Sequence, residues 1–529
     1  MSLVRRHRLF GVVLTLAIVI RVLVMLAFRP IMWFGGDSAS YLATGLRLTP
    51  DPSRVGGYGF LLGLLRPAGS FVFVAAVQHA MGLAAGLLIY ALACHYRLPL
   101  WAGTLAAVPV LFDAYQLQLE QDVLPDAAFA FLVVLALYLV LRAPGQRRPA
   151  PVAVAAFLLG ISALLWPVGL ALLLILIVAT VGWAVRGRLS WSLLSWRARS
   201  AAGAPALAPA AGRLGGLLAV LVAFAGGAAP VLGYAAWFSA HERQFTLTRS
   251  EGVFLWSRTM SFADCTAIKP PADERFLCPA PGSRKAASLY IWDGDSPLLR
   301  AAGGRFGPTT NSLALNFALR AIAAQPDGYA AAAGHDFLLS FYWDRPVHPS
   351  AGIVNRYSFA DATTAWVPST MRTPGGGTVS GDQAAYAGRP SPTRAAAPFA
   401  SWLIRYQRWV YLRGTLLGLI MLAWPVTLLA RRLARRTRPG SGRGGGAGAL
   451  SWAFALTILA VPPLITDFDL RYLVPAIPAA CLAAVLGFAP AQRTWTTSPA
   501  ATATSDESPE RLTTSLPSES TPTASPEST

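Results

Sequence analysis

The chain has 529 residues, of which 54% are hydrophobic and only 13% charged, and its mean hydropathy is +0.48. Soluble domains carry about 25% charged residues, so the balance excludes an ordinary water-soluble globule and makes lipid the main solvent. The formal charge of +19 is not read as a nucleic-acid footprint, because much of the arginine sits in short loops between apolar blocks, where it sets topology.

Arg5, Arg6 and Arg8 precede the first apolar block, 9–28. No small-residue cleavage site follows it, so it is expected to stay as a spanning helix rather than leave as a signal peptide. Further blocks at 71–93, 100–112, 127–141, 152–165, 168–185, 214–238, 409–430, 449–465 and 472–488 bring the expectation to about ten spans. Several fall short of about 20 residues, a length that also suits re-entrant or bundle-buried segments. Trp166-Pro167 is the expected break between the fifth and sixth, since proline cannot sustain the helical ladder and the joined run is too long for one crossing.

The basic loops 5–8, 142–148, 186–213 and 431–443 fall on one side if the helices alternate, which makes that side cytoplasmic and the protein a multi-pass plasma-membrane chain. The other side receives 29–70, 113–126, 240–408 and 467–471. The sequence thus divides into an N-terminal membrane module (1–239) with its first external loop at 29–70, an external domain (240–408), C-terminal membrane helices (409–493) and a Ser/Thr/Pro-rich tail (494–529). The external domain is expected to be small and of mixed structure, with a helical stretch over 311–343. The tail has too few apolar residues to fold and is expected to be disordered in the cytoplasm, and 197–216 reads as an Ala/Pro/Gly loop. Of four cysteines, Cys265 and Cys278 lie together in the external segment and are the expected disulfide, in keeping with an oxidising compartment.

The chemistry must come from a few charged groups. Asp37, in the Gly-flanked turn Gly35-Gly36-Asp37-Ser38, is either the N-cap of a helix starting near Ser38 or a general base at the membrane surface. Asp113, Glu120, Asp122 and Asp126 crowd one short external loop, which is either a solvated interface or a place for a divalent cation or sugar hydroxyls. Arg54, Arg66, Arg258 and Arg471 lie on the same side, where a phosphate needs positive charge. Arg471, in Asp467-Phe468-Asp469-Leu470-Arg471, is the first choice, and a salt bridge to Asp467 or Asp469 is its rival reading. His79, inside the second span, reads as a packed, hydrogen-bonded residue. Walker A, dinucleotide, HExxH and G-x-S-x-G elbow signatures are absent from the sequence.

Met32-Trp33-Phe34-Gly35-Gly36-Asp37-Ser38-Ala39-Ser40-Tyr41-Leu42, Gly57-Tyr58-Gly59-Phe60, the stretch 120–129 (EQDVLPDAAF) and Arg471-Tyr472-Leu473-Val474-Pro475 resemble polytopic GT-C glycosyltransferases. The narrower resemblance is to bacterial phospholipid-carrier-dependent glycosyltransferases, distant relatives of the protein O-mannosyltransferases and of the lipid A aminoarabinose transferases. Phe262-Ala263-Asp264-Cys265, Leu277-Cys278-Pro279 and 317–341 resemble the external domain of that group. The resemblance implies an all-α GT-C-like membrane fold, a polyprenyl-phosphate-linked sugar as donor, and a glycan, protein or lipid acceptor on the external face. It makes Asp37 the catalytic residue in place of a cap, acting as base with inversion at the sugar carbon. Asp126 matches an acid that is Glu in many relatives, with Glu120 as second choice and Asp122 beside them. Arg471, Arg54 and Arg66 become the carrier-phosphate binders, and Tyr41, Tyr58 and Tyr472 are expected around the substrate. Trp166 stands where relatives often carry Arg, which shifts weight to Arg471. A transporter or flippase of a lipid-linked substrate is the main rival, and a non-catalytic scaffold the third reading.

Overall fold

A computed structural model describes residues 3–142, 149–185, 208–280, 282, 284–301, 303–360, 368–437 and 446–489. The expected tail, 494–529, and the first part of the 197–216 loop lie outside them. Each of the ten apolar blocks is helical. They form α1 (Arg8–Ala27), α4 (Phe71–His95), α5 (Leu100–Phe112), α7 (Asp126–Arg142), α8 (Pro149–Leu165), α9 (Val168–Val185), α10 (Ala208–Glu242), α16 (Gly414–Thr437), α17 (Gly446–Ile465) and a last run from α18 (Leu470–Leu473) into α19 (Ile477–Gly487). Two helices, α2 (Gly35–Arg47) and α3 (Gly57–Leu65), fill the segment between α1 and α4, and α6 (Ala114–Gln121) follows α5.

Seven of these helices are long and apolar enough to cross a membrane by themselves. Helices α5 and α6 make an eighth if they act together, bent by 51° where Asp113 interrupts them. Asp113 stops α5 and starts α6 by accepting from the backbone N–H groups of Tyr115 (2.8 Å) and Gln116 (3.2 Å). The protein is therefore an all-α polytopic membrane protein. Its largest core gathers α4, α7, α8, α9, α17 and α19 around Phe129, Leu172, Phe454 and Leu482. The final run is nine-tenths buried inside the bundle, whereas lipid-facing Leu, Val and Phe on α1, α10 and α16 stay exposed.

The segment 240–408, expected to be mixed, is helical among its described residues: α11 (Glu251–Thr259), α12 (Pro308–Ala324), α13 (Pro326–Leu339), α14 (Val379–Ala387) and α15 (Phe399–Gln407) are its longer elements. The helical stretch expected over 311–343 is present as two helices, because Pro326 cannot continue α12 but suits the first position of α13. Trp256, Phe317, Leu277 and Leu298 form a separate core beside the Cys265–Cys278 disulfide. Strand pairing among the described residues is limited to β1 (Phe28–Arg29) against β2 (Arg394–Ala395), antiparallel, with isolated bridges elsewhere. That pair and the hydrogen bond from Trp33 Nε1 to the Ser391 carbonyl (2.9 Å) fasten the end of the segment 240–408 to the residues that follow α1.

Candidate functional site

The segments that follow α1 and α6 are joined before any charge is considered. Met32 N–H donates to the Gln121 carbonyl (2.9 Å) and Val123 N–H to the Met32 carbonyl (3.0 Å). Ser38 Oγ accepts from the Phe34 N–H (2.7 Å) and donates to the Val123 carbonyl (3.0 Å). Ser38 thus serves the first turn of α2, the job considered for Asp37. Gly35 opens that helix at φ +45°, a conformation that costs other residues strain, and a Cβ there would sit 3.0 Å from Arg356 Nη1.

Freed from capping, Asp37 turns its carboxylate to two arginines. One oxygen accepts from Arg54 Nη1 and the other from Arg471 Nη1 at 2.8 Å. The side chain keeps 28% of its surface exposed, so it faces an opening rather than a sealed core. Packing among protein atoms works to raise its carboxyl, but Arg54 and Arg471 outweigh that and hold it below its ordinary value. Tyr41 lies beside the Arg54 guanidinium, and burial, with Asp37 adding to it, pushes its hydroxyl up to about 12, so it stays protonated. The exposed ring of Trp292 lies at the same 5.9 Å from that guanidinium.

Arg471 joins three segments. Its Nε donates to Asp126 Oδ1 (3.2 Å), its Nη1 reaches Asp37, and its guanidinium lies over the Phe34 ring at 5.7 Å. The rival salt bridge within 467–471 is not what forms: Asp469 accepts from the Arg471 backbone N–H (3.2 Å) and from the Tyr357 hydroxyl (2.8 Å), while Asp467 accepts from the Ser288 N–H (2.9 Å). Tyr472 is half-buried against Trp166, ring centres 4.8 Å apart, and Trp166 packs edge-on to Phe129. A narrow apolar crevice adjoins Tyr472 and Asp469, walled by Leu459, Pro462, Pro463 and Leu473.

Not every expected residue converges there. Asp122 is fully buried beside Asp126, and burial, reinforced by the Asp126 charge, raises its carboxyl well above the usual range. One oxygen of each is buried without a partner. Glu120 points the other way, into the bundle, accepting from Arg21 Nη2 (2.9 Å) and Gln116 Nε2 (2.8 Å) and bonding His79 Nδ1 (2.8 Å). The His79 Nε2 meets Gln121 Oε1 at 2.9 Å, as a packed, bonded histidine would. Gly82 leaves the space for that carboxylate, since a Cβ there would fall 1.7 Å from Glu120 Oε1. Tyr58 is fully buried, its hydroxyl given to Gln78, whose amide holds the Glu120 and Asp122 carbonyls, so it supports the second loop from behind. Arg66 is exposed at the far end of α3 beside Tyr386, and none of the contacts joining Asp37, Asp126 and Arg471 includes it. Arg258 is buried in a pair with Asp336. Among the described residues no three His, Cys, Asp or Glu side chains are placed to hold a metal ion.

Sequence reasoning missed Tyr357, Phe34 and Arg21. Tyr357 comes from the external region, and nothing local marks it as the partner of Asp469. Arg21 carried a readable signal, because an ionisable residue within a spanning block needs a partner.

No protein-family model matches the chain, and no curated protein matches it either. A crystal structure of an Archaeoglobus fulgidus oligosaccharyltransferase, tethered through a disulfide bond with an acceptor peptide containing the NVT sequon, is similar at 14% identity and a TM-score of 0.39. The similarity covers 90% of this chain and 49% of that one, so the chain spans about half the length of the archaeal enzyme.

Proposed function

We propose that the protein is a membrane glycosyltransferase of GT-C type that moves a sugar from a polyprenyl-phosphate carrier to an acceptor at the external face. The observation that carries the reading is the placement of Asp37, open on one side and shared between Arg54 and Arg471 at the end of the first span. A carboxylate held by two guanidinium groups is a weak proton acceptor. A carrier phosphate, a phosphodiester whose charge rises from one to two as the sugar leaves, competes for those guanidinium groups and frees Asp37 as it binds.

The acceptor oxygen then attacks the anomeric carbon while the bond from that carbon to the phosphate oxygen breaks. The phosphate leaves with the electron pair, stabilised by Arg471, and the acceptor proton passes to Asp37. Attack opposite the leaving group inverts the sugar carbon. Tyr41 and Tyr472 suit the sugar ring. The arginine-rich loops on the opposite side support an external site. A transporter finds less support, because the Arg21–Glu120–His79 cluster inside the bundle is closed, with Glu120 fully buried.

The test incubates membranes containing the full-length protein with labelled polyprenyl-phosphate sugars, with and without chelator. Transfer lost in Asp37→Asn is the expected result. No transfer from any donor, or transfer unchanged in that variant, refutes the proposal.

A further inference from the structure

The short strand pair places Arg29 directly opposite Arg394. Opposed residues of an antiparallel pair project from one face with their side chains about 5 Å apart at the base, and like charges so placed repel. Their neighbours Phe28 and Ala395 take the other face and pack inward, with Phe28 stacked on Phe359 at 5.0 Å. Both arginines are consequently exposed. Arg29 Nε donates to the Leu26 carbonyl (2.9 Å), and neither guanidinium has an ion pair among the described residues.

The surroundings add charge of the same sign. Helix α15 packs Ala400 and Leu403 against the end of α1 at Val24 and Phe28, and leaves Trp402, Arg405, Arg408 and Trp409 exposed. Arg405 and Arg408 also lack ion pairs among the described residues. From position 383 to 466 the sequence contains no Asp or Glu that could neutralise them. The depth is fixed at both ends: Arg29 follows the span Arg8–Ala27 by two residues, and Trp409, 78% exposed, precedes the span Gly414–Ala434 by five. Tryptophan and arginine at span ends belong to the headgroup layer.

We propose that this face is a binding surface for anionic phospholipids, in which Arg29 and Arg394 bridge one headgroup phosphodiester while Trp402 and Trp409 sit at the level of the lipid glycerol. The bound anion relieves the cross-strand repulsion and so ties the external region to the bilayer. The surface is separate from the Asp37 cluster, and the inference does not depend on the catalytic reading.

The test uses the full-length protein in nanodiscs of phosphatidylcholine alone or with one quarter phosphatidylglycerol. Lipid retained after extraction is counted by native mass spectrometry, and melting is followed in both discs. The wild type should retain phosphatidylglycerol selectively and melt higher in its presence. Arg29→Gln with Arg394→Gln should weaken that retention about 30-fold. In phosphatidylcholine alone the double variant should melt no lower than the wild type, because a repulsive pair has been removed. Unchanged retention in the variant overturns the proposal. So does equal stabilisation of the wild type by glycerol phosphate or inorganic phosphate in phosphatidylcholine discs, which would make the site one for small anions.

Discussion

Glu120 and Asp126 belong to one short segment, yet they end in opposite surroundings. Glu120 is closed in by Arg21, His79 and Gln116 with no exposure, whereas Asp126 shares Arg471 with the half-open Asp37 and keeps one oxygen without a partner. The same chemical groups, carboxylate and guanidinium, therefore make a bolt in one place and a candidate site in the other. What differs is exposure: a fully enclosed pair can only hold segments together, while a pair that shares its guanidinium with a partly exposed carboxylate has capacity for a ligand. The bolt also serves the site, since it fixes the loop 120–123 on which Met32 and Ser38 rest.

The comparison breaks most decisively at Asp37. Replacing it with Asn should leave the fold intact and reduce transfer by about 10²- to 10⁴-fold, the usual weight of a general base, as read from initial rates of labelled-sugar transfer. A variant that transfers normally would demote the open cluster to the same structural rank as the closed one.

Glu120→Ala should do the reverse. It leaves Arg21 buried and uncompensated, an expected loss of about 3 to 5 kcal/mol, visible as a lower melting temperature and poorer recovery of monodisperse protein. The transfer rate per folded molecule should change far less than in Asp37→Asn. Full stability with abolished transfer would move Glu120 from the bolt to the site.

Asp469 sharpens the contrast through pH. Burial, opposed by Arg471, pushes its carboxyl up to about 7, whereas in the unfolded chain it titrates near 4. The folded protein thus holds an extra proton between those values, so stability is greatest below about pH 4, falls as pH rises toward 7 and levels off above it. Asp469→Asn can still accept from the Arg471 N–H and should flatten that decline. Melting curves between pH 5 and 8.5 should show the variant overtaking the wild type by about a few degrees at the alkaline end.

The sequence made the spans legible because lipid selects for apolar blocks whatever their tertiary partners, and all ten blocks are helical. Asp37, Asp126 and Arg471 were legible as acids and a base at span ends on one side, and the structure draws all three together. The sorting of 113–126 was not legible. Whether an acid of that loop faces the bundle or the opening depends on the 51° bend at Asp113, a tertiary property with no periodic signature. Tyr357 was hidden for a similar reason: its contact with Asp469 closes across 112 residues. The mixed character expected of 240–408 failed on local grounds, since its strand is only two residues long, while its expected helical stretch over 311–343 is present and broken at Pro326.

The smallest effect is expected at Asp122, and its smallness is informative. The side chain is fully buried, one oxygen accepts from Gln118 Nε2 (3.0 Å), and burial, reinforced by the Asp126 charge, raises its carboxyl well above the usual range, which favours the neutral acid. A neutral acid and an amide have the same shape and each carries one acceptor oxygen beside a donor. Asp122→Asn should thus shift stability by less than about 1 kcal/mol and leave transfer within about twofold, while Asp126→Asn removes a charge that Arg471 needs and should cost more in both. Were Asp122 a ligand for a cation or a sugar hydroxyl, the two variants would fall together, and chelator sensitivity would change in the first. Parallel losses would therefore return the whole loop 120–126 to the open cluster and erase the boundary between Asp122 and Asp126.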